Sequence, residues 1–484
     1  MSTGPFHRNV TLPDEVLLEI FALYGGLYRK KNWWFKLVHV CRKWRQVVFA
    51  SPRRLNLQLL CTPITPARKM LDVWPDLPIL IHHIGTADPT PELADNVIAA
   101  LERTNRASKI LIYGVPSSLV ERYASAMQEP FPALTSLALS SHDISVPVLQ
   151  SSFLGGYAPR LEYLEVENIP TPLFRKLPSC SPSLVSLYLT NNLYVPPGVI
   201  VDCLAGLTRL ESFHLIFHSP RSRPDQTSLR PPMLARVVLP SLTSFLFNGV
   251  SEYFEDLTAR IDTPKLDDLS VSFFNQLIFD IPQLTQFISR IEKSTALDRA
   301  EVYFGRHSVE ITLKVDEETY QNGFLSLSIS CTSLDWQVSA LEQVCSSTLQ
   351  SLPNLKSLHI WHDDRLTDGV ENTQWPELLR PFTTLETLIV PKDSIPFVER
   401  ILGALAGEGV TEAMRALERI DIDLGPVETI PEGIEQFVTV RQLSGHPVAV
   451  ERKWEPVVDR TVVLPPILKL FTVSDGGHRL RTAV

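Results

Sequence analysis

Leu134-Thr-Ser-Leu137-Ala-Leu139, Leu161-Glu-Tyr-Leu164-Glu-Val166 and Leu184-Val-Ser-Leu187-Tyr-Leu189 are three copies of one pattern. An apolar residue is followed by two variable ones, an apolar one, one variable and a last apolar one. The same order returns from Leu210, Leu242, Leu266, Leu297, Leu355, Leu385 and Leu417, and Ala107-Ser-Lys-Ile110-Leu-Ile112 opens the series. From residue 134 successive starts are separated by 27, 23, 26, 32 and 24 residues. The last three apolar positions alternate, the period of a strand with one face inward. Proline stands two residues before the first leucine at Pro132, Pro159, Pro182, Pro240, Pro264 and Pro353. There it stops a preceding helix and sets an extended entry to the strand.

Units of this length and pattern resemble leucine-rich repeats. The asparagine expected eight residues after the first leucine stands only at Asn192, with Asn168, Asn248 and Asn275 displaced by one or two positions. Weak asparagine marks and unequal spacing imply an irregular solenoid. The expected fold is α/β: a short helical module, then a curved parallel sheet of ten to twelve strands, roughly 50 Å long at about 4.8 Å per strand. Residues 309–315 and 324–331 alternate like a β-hairpin, which the repeat pattern does not place. The reading divides the chain into a helical module at 1–60, a connecting segment at 61–106 with a first strand at Ile79-Leu-Ile81, the array at 107–454 and a tail at 455–484. Ser219 to Pro232 reads as a polar, proline-bearing loop.

The helical module begins at Leu12-Pro13-Asp14-Glu15-Val16. Proline in a first turn costs nothing, because its N–H would have no helical partner. Thr11 and Asp14 form a potential capping pair. Val16, Leu17, Ile20, Leu23 and Tyr24 follow at helical spacing, and Leu37, Val40, Cys41, Trp44 and Val48 make a second stripe. Two helices this short cannot bury both stripes alone, so apolar surface is left for a partner.

Leu12-Pro13, Glu19-Ile-Phe21 and Val40-Cys-Arg-Lys-Trp-Arg45 resemble the F-box, the module that docks F-box proteins onto the adaptor subunit of cullin–RING ubiquitin ligases. The stretch from Tyr24 to Trp34 is longer and more basic than the usual turn. The resemblance implies that Leu12, Pro13, Val16, Leu17, Ile20, Phe21, Val40, Cys41 and Trp44 engage an acidic adaptor, with Arg42 and Lys43 steering the encounter. An F-box before such an array is similar to the F-box proteins of mushroom-forming fungi. Ser51-Pro-Arg-Arg-Leu, Met127-Gln-Glu-Pro, Phe153-Leu-Gly-Gly and Arg441-Gln-Leu-Ser-Gly-His-Pro-Val-Ala-Val carry that likeness. It implies a substrate receptor without bond chemistry of its own. A repeat scaffold whose helical hairpin only caps the array is the alternative.

Charge is uneven. The chain carries −9 overall, but residues 1–60 hold ten Lys/Arg against three acids, +7, which leaves −16 on the remainder. A basic module on an acidic body suits an acidic protein partner. Arg29-Lys30-Lys31 beside Trp33 and Trp34 is too short a basic run to point to nucleic acid without a further motif. Hydrophobic content of 44% and charged content of 20% are those of a globular chain. With no bilayer-length apolar stretch and no signal-peptide core, the expectation is an intracellular protein, cytoplasmic or nuclear.

No catalytic constellation stands out, and no cofactor or metal is expected. The six cysteines are scattered without Cys-x-x-Cys, which reads as reduced thiols. His82-His83 and His362-Asp363-Asp364 lack further ligands at metal-binding spacing. Gly25-Gly26 and Gly155-Gly156 precede no Gly-Lys-Ser/Thr, and Gly-x-Ser-x-Gly, His-Glu-x-x-His and kinase signatures are missing. Asp316-Glu317-Glu318 reads as a solvated turn.

The array instead offers a surface. The later variable position of each unit points away from the core and reads Ala138, Glu165, Tyr188, His214, Leu246, Ser270, Glu301, His359, Ile389 and Asp421. The earlier one is mostly serine, with Tyr163 the large exception. Tyr163, Tyr188, His214 and Leu246 make a weakly charged, partly aromatic stretch of the kind enriched at interfaces. A target protein is expected to dock there; the alternative is that local loops cover this face.

Overall fold

The computed structural model describes residues 12–27, 32–85, 90–143, 152–167, 171–191, 194–220, 236–315, 324–348, 354–363, 375–406, 413–425 and 428–453. Thr11, the basic run 29–31, Asn168, Asn192, most of the loop at 219–232, the acidic run 316–318, Pro353, Asp364 and the tail at 455–484 lie outside them.

Three helices open the chain: α1 (Asp14–Leu27), α2 (Phe35–Val38) and α3 (Arg42–Ala50). The strands begin with β1 (Leu59–Cys61), β2 (Ile79–Ile84), β3 (Ala107–Val115), β4 (Ser136–Ser141), β5 (Tyr163–Glu167) and β6 (Ser186–Asn191). They continue with β7 (Ser212–Phe217), β8 (Val237–Val238), β9 (Ser244–Gly249), β10 (Ile261–Asp262), β11 (Asp268–Phe273) and β12 (Arg299–Phe304). The last six are β13 (Ser308–Lys314), β14 (Leu325–Ser330), β15 (Ser357–His362), β16 (Thr387–Val390), β17 (Arg419–Ile422) and β18 (Ala449–Arg452).

All but β8 and β10 form one 16-stranded sheet in the order β1-β2-β3-β4-β5-β6-β7-β9-β11-β14-β13-β12-β15-β16-β17-β18. At about 4.8 Å per strand it runs for about 70 Å. This is longer than the ten to twelve strands expected. In the segment at 61–106 the strand expected at Ile79-Leu-Ile81 is β2, which pairs in parallel with β3 on one side and with β1 on the other. Leu59 and Cys61 are fully buried, and the sheet starts at Leu59, ahead of that strand.

Every leucine that opens a unit is buried, from Leu134 through Leu297 to Leu417. The apolar strand positions stack from strand to strand: Leu137, Leu164, Leu187, Phe213, Phe245 and Leu269 are successive register partners, all buried. Each unit alone exposes one apolar strand face, and only its neighbours and its helix cover it. The prolines have a more specific job than ending helices. The N–H of Leu134 donates to Phe131 O at 3.3 Å, that of Leu161 to Ala158 O at 3.1 Å, and that of Leu184 to Ser181 O at 3.3 Å. Pro132, Pro159 and Pro182 thus sit second in a four-residue turn, where a φ fixed near −65° is already correct.

The hairpin has a definite place. β13 runs antiparallel to both β12 and β14, and the pair β13–β14 is inserted between β11 and β12. Among the described residues it is the one reversed strand of the sheet, while β11–β14 and β12–β15 stay parallel. The helix Leu334–Thr348 then returns the chain to β15. Its Gln337 is fully buried and donates Nε2 to Gly305 O at 2.7 Å and Cys331 O at 2.8 Å, pinning both ends of the insertion. Gln337→Leu leaves those two carbonyls without a donor and should destabilise the middle of the sheet by about 2–4 kcal/mol. Faster hydrogen exchange across 299–331 is the expected signature; unchanged exchange there contradicts the assignment.

Candidate functional site

In the helical module, Pro13 O accepts the N–H of Leu17 at 3.1 Å, so Pro13 ends the loop and opens α1. Cys41 is the N-cap of α3, its Sγ accepting the Trp44 N–H at 3.5 Å. Lys43 holds the start of α1 by its bond to Leu12 O at 2.7 Å and its ion pair with Asp14 at 3.3 Å. Arg54 pairs with Glu19. Part of the basic charge assigned to steering thus braces the module itself.

The nine residues expected at the adaptor separate into two sets. Leu17 and Phe21 are buried, with Phe21 edge-on to Trp44 at 4.9 Å between ring centroids. They hold α1 on α3 and offer nothing to a partner, which corrects their assignment; Trp44 is half-buried behind Phe21. Leu12, Val16 and Ile20 are each 43% exposed, Val40 57%, and Pro13 and Cys41 are exposed as well. Leu23, 68% exposed, extends the strip and was absent from the expected set. Its signal was the spacing Val16, Ile20, Leu23, offset by one residue from the buried Leu17 and Phe21 and the half-buried Tyr24.

The unusual linker explains how the module meets the array. Asn32 adopts φ 66° and accepts the Leu60 N–H of β1 through Oδ1 at 3.1 Å, covering part of the first strand's edge. Trp34 is buried, donates Nε1 to Gln58 O at 3.0 Å, and packs edge-on to Trp74 at 5.3 Å. Phe35 stacks on Trp74 at 5.0 Å. Trp34 is therefore part of a structural joint and not of a nucleic-acid surface.

On the sheet, the row of later variable residues is real and in register. Ala138, Glu165, Tyr188, His214, Leu246 and Ser270 are consecutive partners. Ser326 and Thr312 of the insertion follow, then Glu301, His359, Ile389 and Asp421. Tyr163, Tyr188, His214 and Leu246 are all partly exposed. The Tyr163 and Tyr188 rings lie 5.2 Å apart, and those of Tyr188 and His214 4.1 Å. Glu165 Oε2 accepts the hydroxyls of Tyr163 at 2.7 Å and of Tyr113 at 3.0 Å. Burial, then the adjacent carboxylate, pushes Tyr113 up; burial and this hydrogen bond do the same to Tyr163, so both remain donors. Burial brings His214 down to about 4, leaving it neutral at pH 7. Glu167 is pushed up to about 7, mainly by burial.

Farther along, the face becomes ionic. Asp421 is almost fully buried between Arg419 at 3.0 Å and Lys453 at 2.6 Å, and Glu301 pairs with Lys314 at 2.8 Å. His359, also buried, is brought down to about 3, first by burial and then by Arg299, Lys314 and Lys453.

The metal candidates separate. His83 is buried with Nδ1 3.0 Å from the Tyr123 hydroxyl, while His82 lies on the opposite face of β2, and the His362 ring stacks on Phe397 at 4.1 Å. No metal-holding cluster occurs among the described residues. All six cysteines are free, and burial pushes Cys61 and Cys203 up to about 12. No described helix is long and apolar enough to cross a membrane.

Among solved structures, the leucine-rich repeat-containing protein LegL7 from Legionella pneumophila is similar to this chain at 14% identity, over 81% of this chain and 99% of that one, with a TM-score of 0.29. The Rad7 and Elc1 complex in yeast is similar at 14% identity, over 72% of this chain and 87% of that one, with a TM-score of 0.19. No curated protein matches. Residues 10–55 match the family described as F-box-like, and that span contains all three helices α1, α2 and α3. The N-terminal module is an F-box-like domain.

Proposed function

We propose that this protein is the substrate-recognition subunit of an SCF-type cullin–RING ubiquitin ligase. The observation that carries the reading is the open strip of Leu12, Val16, Ile20, Leu23 and Val40 on an F-box-like domain whose other side is sealed onto β1. F-box domains bind the acidic adaptor subunit of these ligases, and a strip left open while the array has its own core fits that use. The chain does no bond chemistry. It holds an unidentified target protein near the ubiquitin-loaded enzyme, so that rate follows from proximity. The setting is intracellular, cytoplasmic or nuclear, and kinship with the F-box proteins of mushroom-forming fungi belongs to the same reading.

A pull-down with purified adaptor tests it. Adaptor should be retained by the intact chain and lost when Leu12 and Pro13 become alanine. No retention by the intact chain favours the second reading, a leucine-rich-repeat scaffold not linked to ubiquitination. The Asn32 and Trp34 joint favours that alternative, because it shows the helices capping the first strand.

We place the target on the sheet face around Tyr163, Tyr188, His214 and Leu246. Alanine at Tyr163, Tyr188 and His214 together should lower target capture by about tenfold or more, as loss of central aromatic anchors does. Crosslinking mass spectrometry of the captured target reads this, and capture unchanged in the triple variant refutes it.

A further inference from the structure

Along the outer face of β4, β5, β6, β7, β9, β11 and β14 the strand residues turned away from the core include Glu165, Glu167 and Asp268 but no lysine or arginine. Lys109, the nearest cation by register, stands two strands from Tyr163, about 10 Å at ordinary strand spacing. His214 adds no positive charge, because burial keeps it neutral. The negative charge of this face therefore centres on Glu165, beside a Glu167 and an Asp268 whose carboxyls burial pushes up, and no cationic side chain of these seven strands compensates it.

Glu165 is the fixed point of this face. Tyr113 and Tyr163 both donate to its Oε2, which locks the carboxylate's direction. Its Oε1 has no hydrogen-bond partner among the described residues, nor has the Tyr188 hydroxyl. The Tyr163 and Tyr188 rings stand beside it, 5.2 Å apart and tilted by 39°. A carboxylate with one free oxygen beside tyrosine faces is complementary to a cation, since ring quadrupole and formal charge attract in the same direction.

We infer that this face receives a basic, extended segment of a partner protein, with one lysine or arginine side chain seated at Glu165 against the outer sides of the Tyr163 and Tyr188 rings. The inference rests on the proposal that the sheet is the target-binding surface, and it adds the target's chemistry. Seven strands span about 30 Å, the length of about nine extended residues. The serines at the outer positions, Ser186, Ser212 and Ser244 among them, are small enough to let a main chain lie close.

The test titrates the full chain with two fluorescent nonapeptides that differ only in carrying two arginines or two citrullines, the uncharged isostere. The arginine peptide should bind at least about tenfold more tightly, and more weakly as salt rises. Glu165→Gln, which keeps size and hydrogen-bonding capacity, should bring the two within about twofold with the melting temperature unchanged. Tyr188→Leu should lower arginine-peptide affinity by about fivefold. Equal binding of the two peptides, or full preference retained in Glu165→Gln, overturns the inference. Arginine-peptide binding that appears only when Arg221, Arg223 and Arg230 are changed to serine would give the face to the chain's own cations and also overturn it. The titration needs no adaptor, so its failure is separable from that of the ligase assignment. If target capture falls in Tyr188→Leu but charge proves irrelevant, the receptor reading stands and the cation site falls.

Discussion

Changing Val16 and Ile20 together to aspartate lowers affinity for the adaptor subunit by about 100-fold or more, with no change in the melting of the repeat array. Both side chains stand on the open side of α1 and are 43% exposed, so an aspartate at either meets water in the free protein. In the proposed complex the adaptor would cover the same positions. A central apolar contact contributes about 2 kcal/mol or more, and two carboxylates facing an acidic partner add desolvation and repulsion. Leu17→Ala and Phe21→Ala are the contrast. Both sit in the core of the module, and Phe21 packs on Trp44, so these variants lose the fold of the first fifty residues and bind poorly for that reason. Biolayer interferometry with circular dichroism on the same samples separates the two. Full binding by the double aspartate variant removes α1 from the interface.

Phe245→Ala destabilises the array by about 3–5 kcal/mol and splits its unfolding into two steps. Phe245 is fully buried on β9, with Phe213 of β7 stacked on it at 5.3 Å and 19° and Phe254 at 5.8 Å. Large-to-small change in a packed core costs the transfer free energy and a cavity, and the stacked pair adds about 1 kcal/mol. The position matters as much as the size. A solenoid holds together through contacts between neighbours, and β9 joins the sheet's first seven strands to β11 and beyond. A weak central coupling lets one half unfold before the other. Urea denaturation followed by hydrogen exchange shows it as early exposure of one side only; a single transition at the wild-type midpoint contradicts it.

Much of the sheet was legible because its signal is local. The first leucine of each unit is buried, and the alternation Leu187-Tyr188-Leu189 places Tyr188 opposite its buried neighbours with no knowledge of the rest of the chain. The row of variable residues is in register because the units repeat. The sheet's ends and insertion were less visible. β1 has only three residues, too few to show alternation, and β14 lies beside β11 although their last paired residues, Phe273 and Ile329, are 56 positions apart in sequence. No pattern within a hairpin states which strands it enters between.

The candidate adaptor site was half legible for a physical reason. From Val16 to Tyr24 the helix is apolar on nearly every side, so periodicity shows two stripes, 16-20-23 and 17-21-24, without saying which faces inward. That choice is made by α3, where Trp44 packs on Phe21, and by the linker, where the Trp33 ring lies 6.1 Å from that of Tyr24. The linker that departs from the F-box pattern is the part that ties the module to β1.

The central claim is that the open side of α1 is completed by another polypeptide. Hydrogen exchange of the intact chain, alone and mixed with purified adaptor, measures this directly. Slowed exchange on adding adaptor at 12–24 and 39–44, with β4 to β17 unchanged, is the expected result. The same exchange with and without adaptor, at concentrations that saturate other F-box domains, would contradict it.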